Sequence, residues 1–254
     1  MLKELLLPII IVTLMLVLLS ASFTADDMIT SAYNNYVSVL NSNTNITYPV
    51  LILDAGHGGA DGGAISVTGG KESEINLTIT KKAEYLAAFF GIKTAMTRDS
   101  ETIDYPENCA TIHEKKVYDT KSRVELINSA NNPVLISIHQ NKFDDSSVSG
   151  VQVFFGNNEK SSNLADSLTE NLKSFVKTVR NPKQISDSIY IFKHISCPAI
   201  MIECGFISNS SENSLLNYNE YQNKLAISII SGYLSYENEL CGGTNESQNS
   251  ILLY

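Results

Sequence analysis

The sequence predicts an α/β fold: a single domain with a twisted, mostly parallel sheet of about six strands flanked by helices, preceded by an N-terminal apolar segment. Three observations predict it. Short apolar runs of strand length alternate with longer stretches whose apolar residues recur every three or four positions, the pattern of strand–helix–strand units. Of the 254 residues, 43% are hydrophobic and 18% charged, which is enough to bury a sizeable core and too apolar for a disordered chain. Finally, several strand-like runs end in residues that carry chemistry, as they do where a ligand site lies outside the carboxyl ends of a sheet.

Residues Leu5 to Leu19 read LLLPIIIVTLMLVLL, interrupted only by Pro8 and Thr13, with Lys3 and Glu4 before the run and Asp26 and Asp27 after it. Residues 1–25 are thus expected to be a signal peptide or a membrane anchor, and Ser20, Ala21 and Ser22 suit a cleavage site. Either reading puts the remainder outside the cytoplasm. Between residues 26 and 47, Met28, Ala32, Tyr33, Tyr36, Val37 and Leu40 suggest a short amphipathic helix, followed by the polar linker NSNTNIT. The folded domain is expected over 48–236.

Within it, Val50–Asp54 is a strand that runs into a glycine-rich loop. Glu74–Phe90 carries Ile75, Ile79, Ala83, Leu86, Ala87 and Phe90 on one helical stripe, and Gly91 stands where a C-terminal cap belongs. Lys93–Thr97 is a second strand. Asp99–Lys121, with Pro106, Cys109 and His113, reads as a long irregular segment, either a lid or partner surface or a mobile insertion. A short helix follows at Ser122–Ala130, then strands at Val134–His139 and Gly150–Phe155. Ser162–Val179 is the clearest helix, with Leu164, Leu168, Leu172, Phe175 and Val179 spaced by three or four. Strands are expected at Ser188–Phe192 and Pro198–Glu203, a last helix at Glu220–Tyr236, and a flexible tail over 237–254.

Composition excludes some functions. With 18 Lys and Arg against 27 Asp and Glu, the net charge is −9, which argues against nucleic acid and against holding an anionic polymer by bulk charge. The four cysteines (Cys109, Cys197, Cys204 and Cys241) include no zinc-type Cys-x-x-Cys pair. In one extended strand Cys197 and Cys204 would stand ~23 Å apart, beyond the ~7 Å reach of a disulfide. The thiols are expected to be incidental.

Three strand ends concentrate the chemistry. LILD runs into AGHGGADGGA with His57, VLISIHQN ends in His139, and PAIMIECGF ends in Glu203. Parallel strands bring all three to one rim. Alone, His57 also reads as a turn residue and His139 as a core histidine. Glu203 follows five apolar residues, where an uncompensated carboxylate costs several kcal/mol, so it points to function. Nucleotide binding fails, because Asp61 stands where a third glycine of the phosphate loop belongs and no Lys-Ser/Thr follows. Zinc fits better: His57 and His139 supply two ligands, and either Glu72 or Glu74 supplies a third, a choice that spacing leaves open.

LDAGHGGADGGA, then EINL after Glu72, then SIHQN and PAIMIECGFISN, resembles the zinc-dependent N-acetylmuramoyl-L-alanine amidases (the amidase_3 family), in order across about residues 50–236. The resemblance implies zinc ligands at His57, Glu72 and His139 and a catalytic glutamate at Glu203, with Glu74 an ordinary first-turn acid. It implies structural arginines at Arg98 and Arg123, and it gives no role to His113 or His194, which are expected on the surface. The implied reaction is hydrolysis of the amide between N-acetylmuramic acid and the stem-peptide L-alanine of peptidoglycan. The glycines around His57 are expected to let a bulky glycan strand approach. A single catalytic domain after an apolar segment, without a wall-binding repeat, further resembles the sporulation-associated, CwlD-type amidases, which act on spore cortex in muramic-δ-lactam formation and germination. An accessory protein is expected at residues 99–121, and membrane contact only through the N-terminal segment. The competing readings are a catalytically inactive peptidoglycan-binding or scaffolding protein on the same fold, and a zinc carboxypeptidase.

Overall fold

The computed structural model describes residues 49–186 and 188–242, the side chains of 241 and 242 excepted. The apolar run, the 26–47 segment and the tail beyond 242 lie outside the described residues. The sheet strands are β1 (Val50–Ala55), β2 (Thr94–Met96), β3 (Pro133–Asn141), β4 (Gln152–Phe155), β5 (Lys183–Gln184) and β6 (Ala199–Phe206). The helices are α1 (Glu72–Phe89), α2 (Ile112–Ser129), α3 (Glu159–Phe175), α4 (Tyr190–Lys193), α5 (Ser210–Leu216) and α6 (Asn219–Gly242).

The strands form one sheet in the order β2-β1-β3-β6-β4-β5. β1 pairs in parallel with β2 and β3, and β3 with β6. β4 runs antiparallel to β6 and parallel to β5. The fold is the single, mostly parallel α/β domain that the alternation predicts. Because β1, β3 and β6 are parallel, their carboxyl ends share one rim, and His139 and Glu203 are register partners on β3 and β6.

Period-two alternation along the strands builds two apolar layers. Leu51, Leu53, Ile136, Ile138, Ile200 and Ile202 face a large cluster with Ile79 and Ala83 of α1, Leu164, Leu168 and Leu172 of α3, and Leu225, Ile229 and Tyr233 of α6. Val50, Ile52, Leu135 and Ala199 face a smaller cluster that contains Ile127 of α2, with Ile191 and Phe192 of α4 packed against it.

Four elements depart from expectation. The 99–121 segment is not a loop throughout. α2 begins at Ile112, where Thr111 and Glu114 form a reciprocal capping box. Its apolar stripe is weak because its buried residues are Arg123 and Ile127 alone. Ser188–Phe192 is not a strand: Ile191 and Phe192 lie on and beside the thin face of the sheet in α4, and the strand here is instead the two-residue β5. α5 is an unexpected helix, capped by Asn209, whose side chain accepts from the backbone N–H groups of Ser211 and Glu212. α6 continues past Tyr236, which is itself buried, to Gly242. Among the described residues no helix is long and apolar enough to cross a membrane.

Candidate metal centre

β1 delivers the chain to the carboxyl rim at Ala55, and the next residues turn sharply. His57 has φ 61°, a left-handed conformation that a non-glycine residue adopts at a cost. Two buried arginines hold the turn. Arg98 donates to the carbonyls of Ala55, Gly56 and Ser73, and Arg123 donates to those of Ala55 and His57. Both therefore act as structural braces. Arg123 also pairs with buried Asp54 at 2.6 Å and with Asp119 at 2.9 Å. Burial pushes the Asp54 carboxyl up, but the Arg123 guanidinium and the Ser137 and Thr97 hydroxyls outweigh it and hold the group at about 2.

The loop glycines serve internal packing. A Cβ at Gly56 would overlap the His139 imidazole. A Cβ at Gly63, where φ is +68°, would stand 2.6 Å from a Glu72 carboxylate oxygen and 2.7 Å from the His57 ring. A Cβ at Gly58 would come within 2.7 Å of Arg98. These glycines allow the imidazoles, Glu72 and the Arg98 brace to close on one another.

Glu72 is the first residue of α1 and its side chain is 4% exposed. Its Oε2 accepts from the backbone N–H of Ala64 (2.9 Å), and its Oε1 accepts from the backbone N–H of Gln140 (3.1 Å) and from Asn76 Nδ2 (3.3 Å). Both imidazoles close on the same oxygen: His57 Nε2 at 3.3 Å and His139 Nδ1 at 3.1 Å. The two rings meet edge to face with centroids 5.0 Å apart. One ligand atom from each of His57, Glu72 and His139 lies within 4.8 Å of the others.

The remaining nitrogen of His57, Nδ1, lies 2.9 Å from Asp61 Oδ2, and Lys116 on α2 reaches the other oxygen of Asp61 at 2.8 Å. A carboxylate that fixes the tautomer and orientation of a ligating histidine is the usual outer support of a metal site. Although burial opposes it, Asp61 and Glu72 pull the His57 imidazole up to about 9. Burial also opposes ionisation of Glu72, yet the two imidazoles hold it well below the usual carboxylate range. Two imidazoles pressed on one buried carboxylate are a place that demands positive charge, and a donor set of two nitrogens and one oxygen suits zinc with an open fourth position.

Glu203 sits across the strand pair from His139. Its Oε2 is shut off from solvent and has no hydrogen-bond partner among the described residues. Burial pushes the carboxyl up to about 7, with the imidazoles opposing and Glu72 adding to the rise. The rim thus brings together His57, Glu72, His139 and Glu203. Glu74 is exposed on the first turn of α1, and His113 and His194 are exposed as well. Sequence reasoning missed Asp61, Lys116, Asn76 and Gln140. Asn76 was within reach, because it stands one helical turn from Glu72 and so shares its face.

The family profile described as N-acetylmuramoyl-L-alanine amidase matches residues 51–234. The germination-specific N-acetylmuramoyl-L-alanine amidase of Bacillus subtilis is 37% identical over 197 residues, covering 75% of this chain and 80% of that protein. The CwlD amidase of Clostridioides difficile, solved in complex with the GerS lipoprotein, superposes with a TM-score of 0.71 at 37% identity, covering 75% of this chain and 99% of that one. An N-acetylmuramoyl-L-alanine amidase from Clostridium difficile 630 gives a TM-score of 0.65 at 30% identity, covering 76% and 98%.

Proposed function

The chain belongs to the N-acetylmuramoyl-L-alanine amidase family, and from that premise we propose that it cleaves the amide between N-acetylmuramic acid and the L-alanine of peptidoglycan stem peptides, using zinc held by His57, Glu72 and His139 and the carboxyl of Glu203. The observation that carries this reading is the closing of two imidazoles from distant strand ends onto the single buried carboxylate of Glu72, beside a second acid with an unpartnered oxygen.

Zinc held at these ligands would supply Lewis-acid activation of a water and of the amide carbonyl. The protein does the rest. Asp61 fixes His57 by its Nδ1, which turns Nε2 towards Glu72. Gln140 and Asn76 donate to Glu72 and keep its carboxylate in place. Glu203 takes the proton of the attacking water and passes it to the alanine nitrogen as the C–N bond breaks, acting as general base and then general acid. A carboxyl raised to about 7 is suited to both tasks near neutral pH.

The wall attacked is spore cortex, in muramic-δ-lactam formation and germination. This reading is supported by identity to the germination-specific relative and by the likeness to the CwlD amidase. The domain works outside the cytoplasm, delivered there by residues 1–25. An accessory protein docks on residues 99–121. That stretch exposes Ile112, Val117 and Tyr118, and the CwlD relative was solved with a lipoprotein partner.

The test is digestion of cortex and vegetative peptidoglycan with and without a chelator, read by mass spectrometry. Intact stem peptides with a free N-terminal L-alanine, lost with chelator, are the expected products. Shortened stems still on the glycan would instead indicate a carboxypeptidase, and zinc binding with no product a scaffold. Glu203→Gln is expected to keep zinc and lose at least about 100-fold in turnover, whereas His139→Ala loses the metal. Equal metal loss in both variants contradicts these roles.

A further inference from the structure

The end of the domain opposite the metal centre carries an exposed aromatic corner where α1 turns into β2. Phe89 is 82% exposed, Tyr85 70% and Phe90 53%. Tyr85 and Phe89 stand one helical turn apart on the same face, and the rings of Phe89 and Phe90 meet edge to face at 5.3 Å. Lys81 lies one turn before Tyr85, exposed Lys93 follows the corner, and half-buried Glu84 is the nearest acid in sequence.

The corner sits where the chain enters the domain. The backbone N–H of Leu51, the second residue of β1, donates to the carbonyl of Lys93 at 2.9 Å, and Leu51 is the register partner of Thr94. Residues 20–49 connect this point to the Leu5–Leu19 apolar run. We propose that Tyr85, Phe89 and Phe90 seat in the lipid interface of the membrane to which that run leads, so that α1 stands as a spacer holding the metal centre off the bilayer. The proposal rests on the reading that residues 1–25 bring the protein to a membrane. It adds a second membrane contact to the one expected from the N-terminal segment alone.

Two features favour lipid over other occupants. Aromatic rings rimmed by lysine suit the headgroup level, where an apolar body and a cationic tip are both satisfied and anionic lipid attracts the lysines. A symmetric contact with a second copy would instead set a patch that carries two lysines against another that carries the same two. The geometry also serves the activity. Glu72 is the first residue of α1 and Phe89 the last, and an 18-residue helix is ~27 Å long. A domain seated on its aromatic corner presents His57, Glu72 and His139 outward, towards the wall.

The chain contains no tryptophan, so one introduced indole reports its own surroundings. The full chain is reconstituted in phosphatidylglycerol–phosphatidylethanolamine vesicles whose acyl chains carry a spin-label quencher, as Phe89→Trp and, separately, as Phe143→Trp. Phe143 is exposed just past the carboxyl end of β3 and serves as the outward control. The expected result is a blue-shifted emission for Phe89→Trp, quenched several-fold more than Phe143→Trp. Equal quenching of the two overturns the proposal, as does a blue shift of Phe89→Trp that grows with protein concentration without lipid, which would assign the corner to a second copy. Solubilised glycan–peptide fragments separate this from the proposed function. The Tyr85→Ser/Phe89→Ser/Phe90→Ser variant is expected to cleave them at the wild-type rate, and wild-type failure on them would defeat the amidase reading while leaving the quenching result intact.

Discussion

On one face of the sheet α3 buries Leu164, Ala165, Leu168 and Leu172, whereas on the other α2, a helix of similar length, buries only Arg123 and Ile127. The first face is held by apolar area, shared among α1, α3 and α6. The second is held by directed contacts: Arg123 to Asp54 and to the His57 carbonyl, and Lys116 to Asp61. Apolar packing is insensitive to direction and stabilises the domain as a whole. Directed contacts tolerate little displacement, and these end on the loop that carries His57. The thick face therefore supplies stability, and the thin face fixes the loop that carries His57.

The sharpest way to break this contrast is to damage each face in turn. Arg123→Ala leaves the Asp54 carboxylate buried without its cation and is expected to cost about 3–5 kcal/mol, with zinc affinity lost in the molecules that stay folded. Leu168→Ala empties part of the thick face and is expected to cost about 2–5 kcal/mol, with zinc affinity per folded molecule unchanged. Urea unfolding and a zinc titration on each variant give both quantities. Equal loss of metal affinity in the two variants would erase the distinction.

Acid tests the same contact. Asp54 is held at about 2 against an ordinary 3.8, so its contribution is fully present above about pH 4 and is lost as pH falls through about 2. The depression is worth about 2 kcal/mol. Thermal unfolding followed between pH 6 and pH 2, with chelator present, is expected to show this loss in the wild type. In Arg123→Ala, where the largest of the groups that depress Asp54 is gone and only the Ser137 and Thr97 hydroxyls and the His139 imidazole remain, the same limb is expected to flatten.

The smallest expected effect on stability sharpens the comparison most. Lys116 is half exposed, and its pair with Asp61 contributes at most about 1 kcal/mol to folding. Through Asp61 it nonetheless steadies His57, and losing such an outer support weakens a metal site by roughly 10-fold or more. Lys116→Ala is expected to leave the unfolding midpoint nearly in place and to lower zinc affinity by about that factor, with partial recovery in Lys116→Arg. Unchanged affinity by competitive zinc titration would confine α2 to a scaffolding role.

The same contrast explains what could be read in advance. β1, β3 and β6 and the helices α1, α3 and α6 were legible because each buries a continuous apolar stripe, and burial writes itself into sequence as period two or period 3.6. α2 was taken in large part for a loop, since a helix held by Arg123 and by ion pairs leaves little apolar period to find. Its start was written all the same, in the Thr111–Glu114 capping box. β5 and α4 are two and four residues long, too short for any period to register. At the site, His57, His139 and Glu203 stood out as polar residues closing apolar strands, but spacing alone left Glu72 and Glu74 tied. Only the motif likeness favoured Glu72; in the fold that side chain is buried between the imidazoles, and Glu74 is in solvent.

Local order alone settled the α/β architecture, the apolar strands and the polar residues that close them, because those properties depend on neighbours a few positions away. Which groups meet was decided by the folded chain. Lys116 touches Asp61, and His139 touches Glu72, across sequence separations that no local pattern spans. Whether a loop glycine opens a path or admits a side chain was likewise a tertiary matter: the space beside Gly56 is filled by an imidazole from β3, a strand more than seventy residues further along the chain.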